Sequence, residues 1–153
     1  MRLLGNILWH IPFLGFLSAL YMFLLGAFFT LTIVGAPIGA GLFELGCFYL
    51  APFGNRMVDA SLLDTPLSRN PIWVTWGWVM TLLWLPFGLI ACFFLTLQAL
   101  AACLTIVGLP VGLAIFRSLN TILNPVGKTV VSADLKQELA RRYVEAQADR
   151  YRR

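Results

Sequence analysis

Side chains able to do chemistry are few in this sequence and stand far apart. His10 is the single histidine, so neither a histidine metal cluster nor a Ser-His-Asp set can be assembled. Glu44 has no second carboxylate close by in sequence for paired acid–base work. The glycines lack both a Walker lysine and the dinucleotide-binding spacing. Cys47, Cys92 and Cys103 form no Cys-x-x-Cys, and an odd count without regular spacing suggests no disulfide framework. They read as small hydrophobes. The expectation is no catalytic residue, no metal ligand, no cofactor and no enzymatic activity.

Glu44 and Arg117 remain. Both interrupt apolar surroundings, and they stand 73 positions apart. A charge at bilayer depth costs about 2.5–3.5 kcal/mol and tends to pair or to line a polar path. Two readings stay open. The charges meet, or share a cavity, as an intramembrane pair; or each snorkels to the membrane surface from a short helix.

The spacing of 73 belongs to a larger pattern. Residues 32–43 read TIVGAPIGAGLF and residues 105–116 read TIVGLPVGLAIF. The match continues through Pro52–Gly54 and Pro125–Gly127 to Val58, Ala60 and Leu62 against Val131, Ala133 and Leu135. Such self-similarity indicates two copies of one structural unit. Each copy carries a Gly-x-Pro-x-Gly break, Gly35, Pro37 and Gly39 or Gly108, Pro110 and Gly112. Proline disfavours helix at the residue before it and cannot donate to its own i−4 carbonyl. A helix therefore ends at the first glycine and a new one begins at the proline.

Composition says where these helices lie. Hydrophobic residues make up 59% and charged residues 12%, against about 25% charged in a soluble domain. No Asp, Glu, Lys or Arg occurs between Leu3 and Phe43, or between Asn70 and Phe116. As helix these runs would extend roughly 60 and 70 Å, twice a hydrocarbon core of ~30 Å. Long apolar helices are predicted over about 13–34 and 87–107. Pro12 and Pro86 suit a first helical turn or a kink. Trp9, Trp73, Trp76, Trp78 and Trp84 suit either the headgroup level or the protein interior. After each break a segment of about 22 Å follows, 37–51 or 110–124, short for a full crossing.

The resulting fold class is an all-α membrane protein of two tandem repeats. Each repeat is a long transmembrane helix, a Gly-Pro break, and a short returning or interfacial helix. The predicted divisions are a first repeat at 1–62, a linker at 63–71, a second repeat at 72–131, and a basic helical tail at 132–153. Asp59 and Ser132 are candidate helix caps. Small residues along the long helices, among them Gly15, Ala19, Gly26 and Ala99, allow close packing within or between chains. A homo-oligomer is expected.

Of the net charge of +4, the part from Lys128 onward carries +3, from seven Lys/Arg against four acids. A basic flank places the C-terminus in the cytoplasm, and Arg2 places the N-terminus there too. The interleaved acids and the lack of a recognition motif argue against nucleic acid as partner; the bilayer is the partner, with room for an unidentified membrane protein. Two topologies satisfy the termini. In the favoured one each repeat goes out and returns, the linker is cytoplasmic and the repeats are parallel. In the other each repeat crosses once, the linker is outside and the repeats are inverted.

The doubled TIVG-x-P-[IV]-G…L-x-P-[FV]-G-x-x-[MV]-V pattern, with its opening GNILW, resembles the YccF family of small bacterial inner-membrane proteins. The resemblance covers about residues 5–135 and leaves the tail from residue 136 outside. It implies two copies of the inner membrane component domain and a bacterial cytoplasmic-membrane location. It implies no reaction and brings no catalytic residue. The expected role is a structural or accessory membrane subunit. The alternative is a small transporter or channel unit that uses the broken helices, with Glu44 and Arg117 near its path.

Overall fold

The computed structural model describes residues 2–11, 15–63, 71–106 and 108–151. In chain order it runs α1 (Arg2–His10), α2 (Gly15–Leu31), α3 (Ala36–Leu50), β1 (Asn55–Asp59), a 3₁₀ turn (Ala60–Leu63), α4 (Pro71–Cys103), α5 (Leu109–Leu123), β2 (Lys128–Ser132) and α6 (Ala133–Tyr151). The chain is mostly helical. Its longest apolar helix stretch, Thr75–Cys103 of α4, has a mean hydropathy of 2.1 and is long enough to cross a membrane. Helices α1 and α2 meet at 77° and together are apolar enough for a second, bent span.

Helix α2 folds back on α3, and α4 on α5, with the TIVG segments at the two turns. Small residues make these hairpins tight. A Cβ on Gly39 would lie 2.7 Å from the Gly26 carbonyl oxygen, and one on Gly112 would lie 2.9 Å from that of Ala99. Ala19 and Ala99 are fully buried. The close packing offered by the small residues is thus used inside each hairpin, where dispersion contacts hold helices together in a solvent as apolar as they are.

The two hairpins meet through α3 and α5, which pass each other in opposite directions. Gly41, early in α3, lies against the Pro125 carbonyl just beyond α5. Tyr49, late in α3, meets Ser118 in the middle of α5. Buried Leu45, Phe48, Ala114, Ile115 and Ile122 fill this crossing. The outward faces of α2 and α4 carry exposed Phe16, Leu24, Phe28, Leu82, Phe93 and Leu100. A sheath of that kind matches a lipid surround and not water.

One part of the fold departs from an all-α reading. Strands β1 and β2 pair antiparallel, Asn55 with Ser132 through Asp59 with Lys128. The Ala60 N–H donates to the Gly127 carbonyl at 2.8 Å, and the Ala133 N–H to that of Gly54 at 3.0 Å, closing both ends. Each strand is a five-residue run with one buried valine, Val58 or Val131, followed by an exposed polar residue. Pleated backbone gives these chain ends a hydrogen-bonded partner that a helix of five residues would not. The central pair is Met57 with Val130, themselves 73 apart, so the ladder is unchanged when its strands are exchanged. Gly127 turns the chain into β2 at φ 69°, a left-handed conformation that suits glycine.

Two further expectations change. Asp59 lies in a strand and pairs with Lys128, and does not cap a helix. Helix α4 begins at Pro71 and not near residue 87, with Pro86 inside it. Neighbouring helices and local adjustments accommodate an interior proline more readily in membrane helices than in soluble ones. Pro12 and residues 64–70 of the expected linker fall outside the described residues. Ser132 does cap α6, accepting from the Leu135 N–H at 3.2 Å.

Candidate functional site

At the first turn the Thr32 hydroxyl donates to the Phe29 carbonyl at 2.6 Å and accepts from the Gly35 N–H at 3.1 Å. Thr105 makes the same pair of bonds, to the Ala102 carbonyl and from the Gly108 N–H, each at 3.0 Å. Gly35 and Gly108 sit at the N-caps of α3 and α5, and Pro37 and Pro110 follow in the first helical turn. There the missing proline N–H is no loss. The Gly39 N–H donates to the Gly35 carbonyl, and Gly112 to Gly108, both at 2.9 Å. Ile33 holds φ 59°. For a β-branched residue that conformation costs about 1–2 kcal/mol.

The far ends of α3 and α5 are held by tryptophan. The Trp9 indole N–H donates to the Tyr49 carbonyl and the Trp84 indole N–H to that of Ile122, both at 2.8 Å. The last four carbonyls of a helix lack intrahelical partners, and these bonds satisfy one in each. Both tryptophans are buried, while Trp76 and Trp78 are exposed. Gly15 lies under the Trp9 ring, and a Cβ on Gly88 would sit 3.1 Å from Trp84 Nε1. His10 adds a bond of 2.8 Å from Nε2 to the Leu50 carbonyl, and its Nδ1 is buried with no partner among the described residues.

Between the hairpins the Tyr49 hydroxyl lies 2.9 Å from Ser118 Oγ, which itself donates to the Ile115 carbonyl at 2.7 Å. Tyr49 is therefore the donor to Ser118. Thr81 donates to Asn124 Oδ1 at 3.1 Å. The sequence reading missed this buried network. Its one signal was that Trp9 echoes Trp84 and Tyr49 stands 73 before Ile122.

Glu44 and Arg117 are not joined by an ion pair among the described residues. Glu44 Oε2 accepts from the Val130 N–H at 2.7 Å. The bonded ends of the ribbon fix the alternation of its ladder, which turns the Met57 and Val130 amides outward. Glu44 thus satisfies a donor that the ribbon leaves open. Arg117 is exposed and places its guanidinium 6.0 Å from the Phe53 ring centroid. The crossing of α3 over α5 directs each charge to the other hairpin's exit segment and not to the other charge. Glu44→Ala is expected to lower stability by about 1.5–3 kcal/mol, the range for a hydrogen bond to a charged group. Combining Glu44→Arg with Arg117→Glu should restore none of this in a double-mutant cycle read by thermal unfolding in detergent.

Opposite the ribbon, α2 and α4 stand apart and leave a cavity of about 720 Å³ under the α3/α5 crossing. Its walls include Leu17, Tyr21, Leu25, Phe87, Phe94 and Ile115, with Ser18 and Gln98 as polar members. Among the described residues no group of three His, Cys, Asp or Glu side chains could hold a metal ion. All three cysteines are free thiols, and Cys92 donates to the Leu119 carbonyl at 3.3 Å.

The inner membrane component domain, YccF, matches residues 4–55. Inner membrane protein YccF of Escherichia coli (strain K12) is 33% identical over 102 residues, 66% of this chain and 68% of that protein. The protein of the same name from Shigella flexneri is 33% identical over the same shares. The chain belongs to the YccF family. It is an inner-membrane protein. No solved structure matches it. The YccF domain match takes in α1, the first hairpin and the start of β1, and so includes Trp9, Gly35, Pro37, Gly39, Glu44 and Tyr49. Gly108, Pro110, Gly112 and Arg117 lie beyond it.

Proposed function

We propose that this YccF protein is a structural or accessory subunit of the bacterial inner membrane, built from two tandem repeats, and not an enzyme. The observation that carries the reading is the use made of its polar groups. Trp9, Tyr49, Trp84, Ser118 and Glu44 are each engaged in holding one segment of the chain to another. A transport path needs polar groups free to meet a solute. The repeat is supported by the Thr-hydroxyl turn, the Trp–carbonyl bond and the Gly39/Gly112 contact, each occurring once per half.

Both termini and the linker lie on the cytoplasmic side in this reading, which makes the repeats parallel. Support comes from the ribbon. It sets residues 55–59, at the start of the linker, beside 128–132, which lead directly into the basic tail. Residues paired in one ladder share one side of a membrane. The apolar outer faces of α2 and α4 face lipid, a second copy in a homo-oligomer, or another membrane protein.

The cavity, with Ser18, Tyr21 and Gln98 on its wall, favours a transporter as second reading. Flux into liposomes separates the two. Purified protein is expected to raise the leak of Na⁺, K⁺, H⁺ or chloride no more than an empty-liposome control. A flux that saturates and is lost on Gln98→Leu would overturn the structural reading.

A further inference from the structure

We infer that the cavity between α2 and α4 holds one acyl chain of a bilayer phospholipid, with the ester carbonyl of that chain received by Ser18 and Gln98. The site goes beyond the structural role proposed above and does not depend on which face of the membrane the ribbon occupies.

The cavity stands where the two halves of the chain face each other. Tyr21 and Phe94, Ser18 and Ala91, and Leu25 and Gln98 all line it, and the members of each pair are 73 positions apart. Helix α2 runs against α3, α4 runs against α5, and α3 passes α5 in the opposite direction, so α2 and α4 also run oppositely. The start of α2 therefore lies beside the later part of α4. That sets Ser18 and Gln98 at one end of the cavity, and Leu25 and Ala91 at the other. One end is polar and its counterpart wholly apolar. A slot of this kind takes a long, mostly apolar molecule in a single direction.

Size decides among occupants. From Phe87 to Gln98 the lining runs about 16 Å along α4, close to the ~15 Å of an acyl chain that fills half of a ~30 Å core. A volume of about 720 Å³ accommodates only about 9 Å of a helix ~10 Å across, which is under two turns. A helix from a second copy therefore cannot seat itself there. Leu17 and Phe87 line the cavity, are themselves exposed, and continue into the apolar outer faces of α2 and α4. In an inner-membrane protein such a mouth opens where acyl chains are the solvent.

Polarity narrows the class further. Thr30 on α2 and Thr96 on α4 return their hydroxyls to carbonyls one turn back, each at 2.7 Å. Ser18 and Gln98 make no hydrogen bond among the described residues. In apolar surroundings an unmet hydroxyl or amide costs free energy, which an acceptor on a ligand recovers. Among the described residues no charged side chain lines the cavity. The carboxylate of a free fatty acid would find no cation there, whereas an ester carbonyl is a neutral acceptor that suits both donors.

The test uses the full chain, reconstituted with phosphatidylethanolamine and phosphatidylglycerol, extracted in mild detergent and weighed by native mass spectrometry. The parent is expected to retain one phospholipid per chain, and excess palmitate should not replace it. Gln98→Leu gives the polar end the residue of its counterpart, Leu25, and should lower retention about three- to tenfold, the worth of one hydrogen bond. Ala91→Phe fills the apolar end and should lower it at least about tenfold. Where Ala91→Phe reduces the yield of folded protein, Gln98→Leu still decides, because the matched position already carries leucine. Equal retention by the parent and Gln98→Leu overturns the site, since the lipid would then be an unspecific surround. Palmitate in place of phospholipid, or a parent dimer without lipid, overturns it as well. A phosphatidylcholine with a diazirine near its chain end supplies the direction. It should label Leu25 and Ala91 in preference to Ser18; labelling at Ser18 alone contradicts the role given to the polar end.

Discussion

Gly41→Val is expected to destabilise the protein by about 3 kcal/mol or more, and Ala40→Val, one residue before it, to be tolerated. A Cβ on Gly41 would overlap the Pro125 carbonyl, which is backbone and cannot rotate away. Overpacking typically costs about 1–3 kcal/mol where side chains can give, and more where they cannot. Here the strain would fall on the approach of α3 to the turn before β2, and so on the ribbon and the Glu44–Val130 bond as well. Ala40 is exposed and lacks this constraint. At the matched position of the second half stands Ala114, fully buried. The glycine is needed at one of the two approaches alone. Thermal unfolding in detergent, followed by size-exclusion retention, measures the difference between the two variants.

Trp9→Ala and Trp84→Ala should each cost about 3–5 kcal/mol, the range for emptying a buried aromatic site. Trp9 is 4% exposed and stacks on Tyr49 at 5.7 Å. Trp84 meets Phe29 edge-on at 5.4 Å and packs beside Ile38, Leu42 and Met80. Trp9→Phe separates the two contributions. It keeps much of the ring but strands the Tyr49 carbonyl, for a loss of about 1–3 kcal/mol. Equal losses for Trp9→Phe and Trp9→Ala in an unfolding titration would place the whole effect in the hydrogen bond.

The sequence reading and the structure agree where a residue type has few local options. Proline two residues after glycine leaves little choice but a helix start, and α3 and α5 begin within one residue of Pro37 and Pro110. The paired Thr-Ile-Val-Gly segments likewise located both turns. The ribbon was not legible, because NRMVD and KTVVS are too short to show a period and pair across 73 residues of chain. Their valines read as marks of the repeat and not as strand residues. The fate of Glu44 and Arg117 was hidden for the same reason. Charge and spacing identified both residues, but Glu44 is engaged by a backbone amide whose direction depends on the ladder alternation. The start of α4 is not legible in the sequence either, since Pro86 reads locally as a boundary and lies within a continuous helix of 33 residues.

The ribbon underlies the account as a whole: it joins the two hairpins and sets residues 55–59 beside the strand that leads into the tail. An engineered disulfide tests it directly. Met57 and Val130 form a non-hydrogen-bonded antiparallel pair. Their Cα separation of about 4.5 Å falls within disulfide geometry. With Met57→Cys and Val130→Cys in a chain freed of native cysteines, and a protease site placed within residues 64–70, the membranes are oxidised, cut and run without reductant. The account predicts that the two halves stay covalently joined, and that the pair Met57→Cys and Ser132→Cys, out of register, joins far less. Separation of the halves at 57/130 would contradict it, because cysteines on opposite sides of the membrane, or on strands that never pair, cannot form the bond.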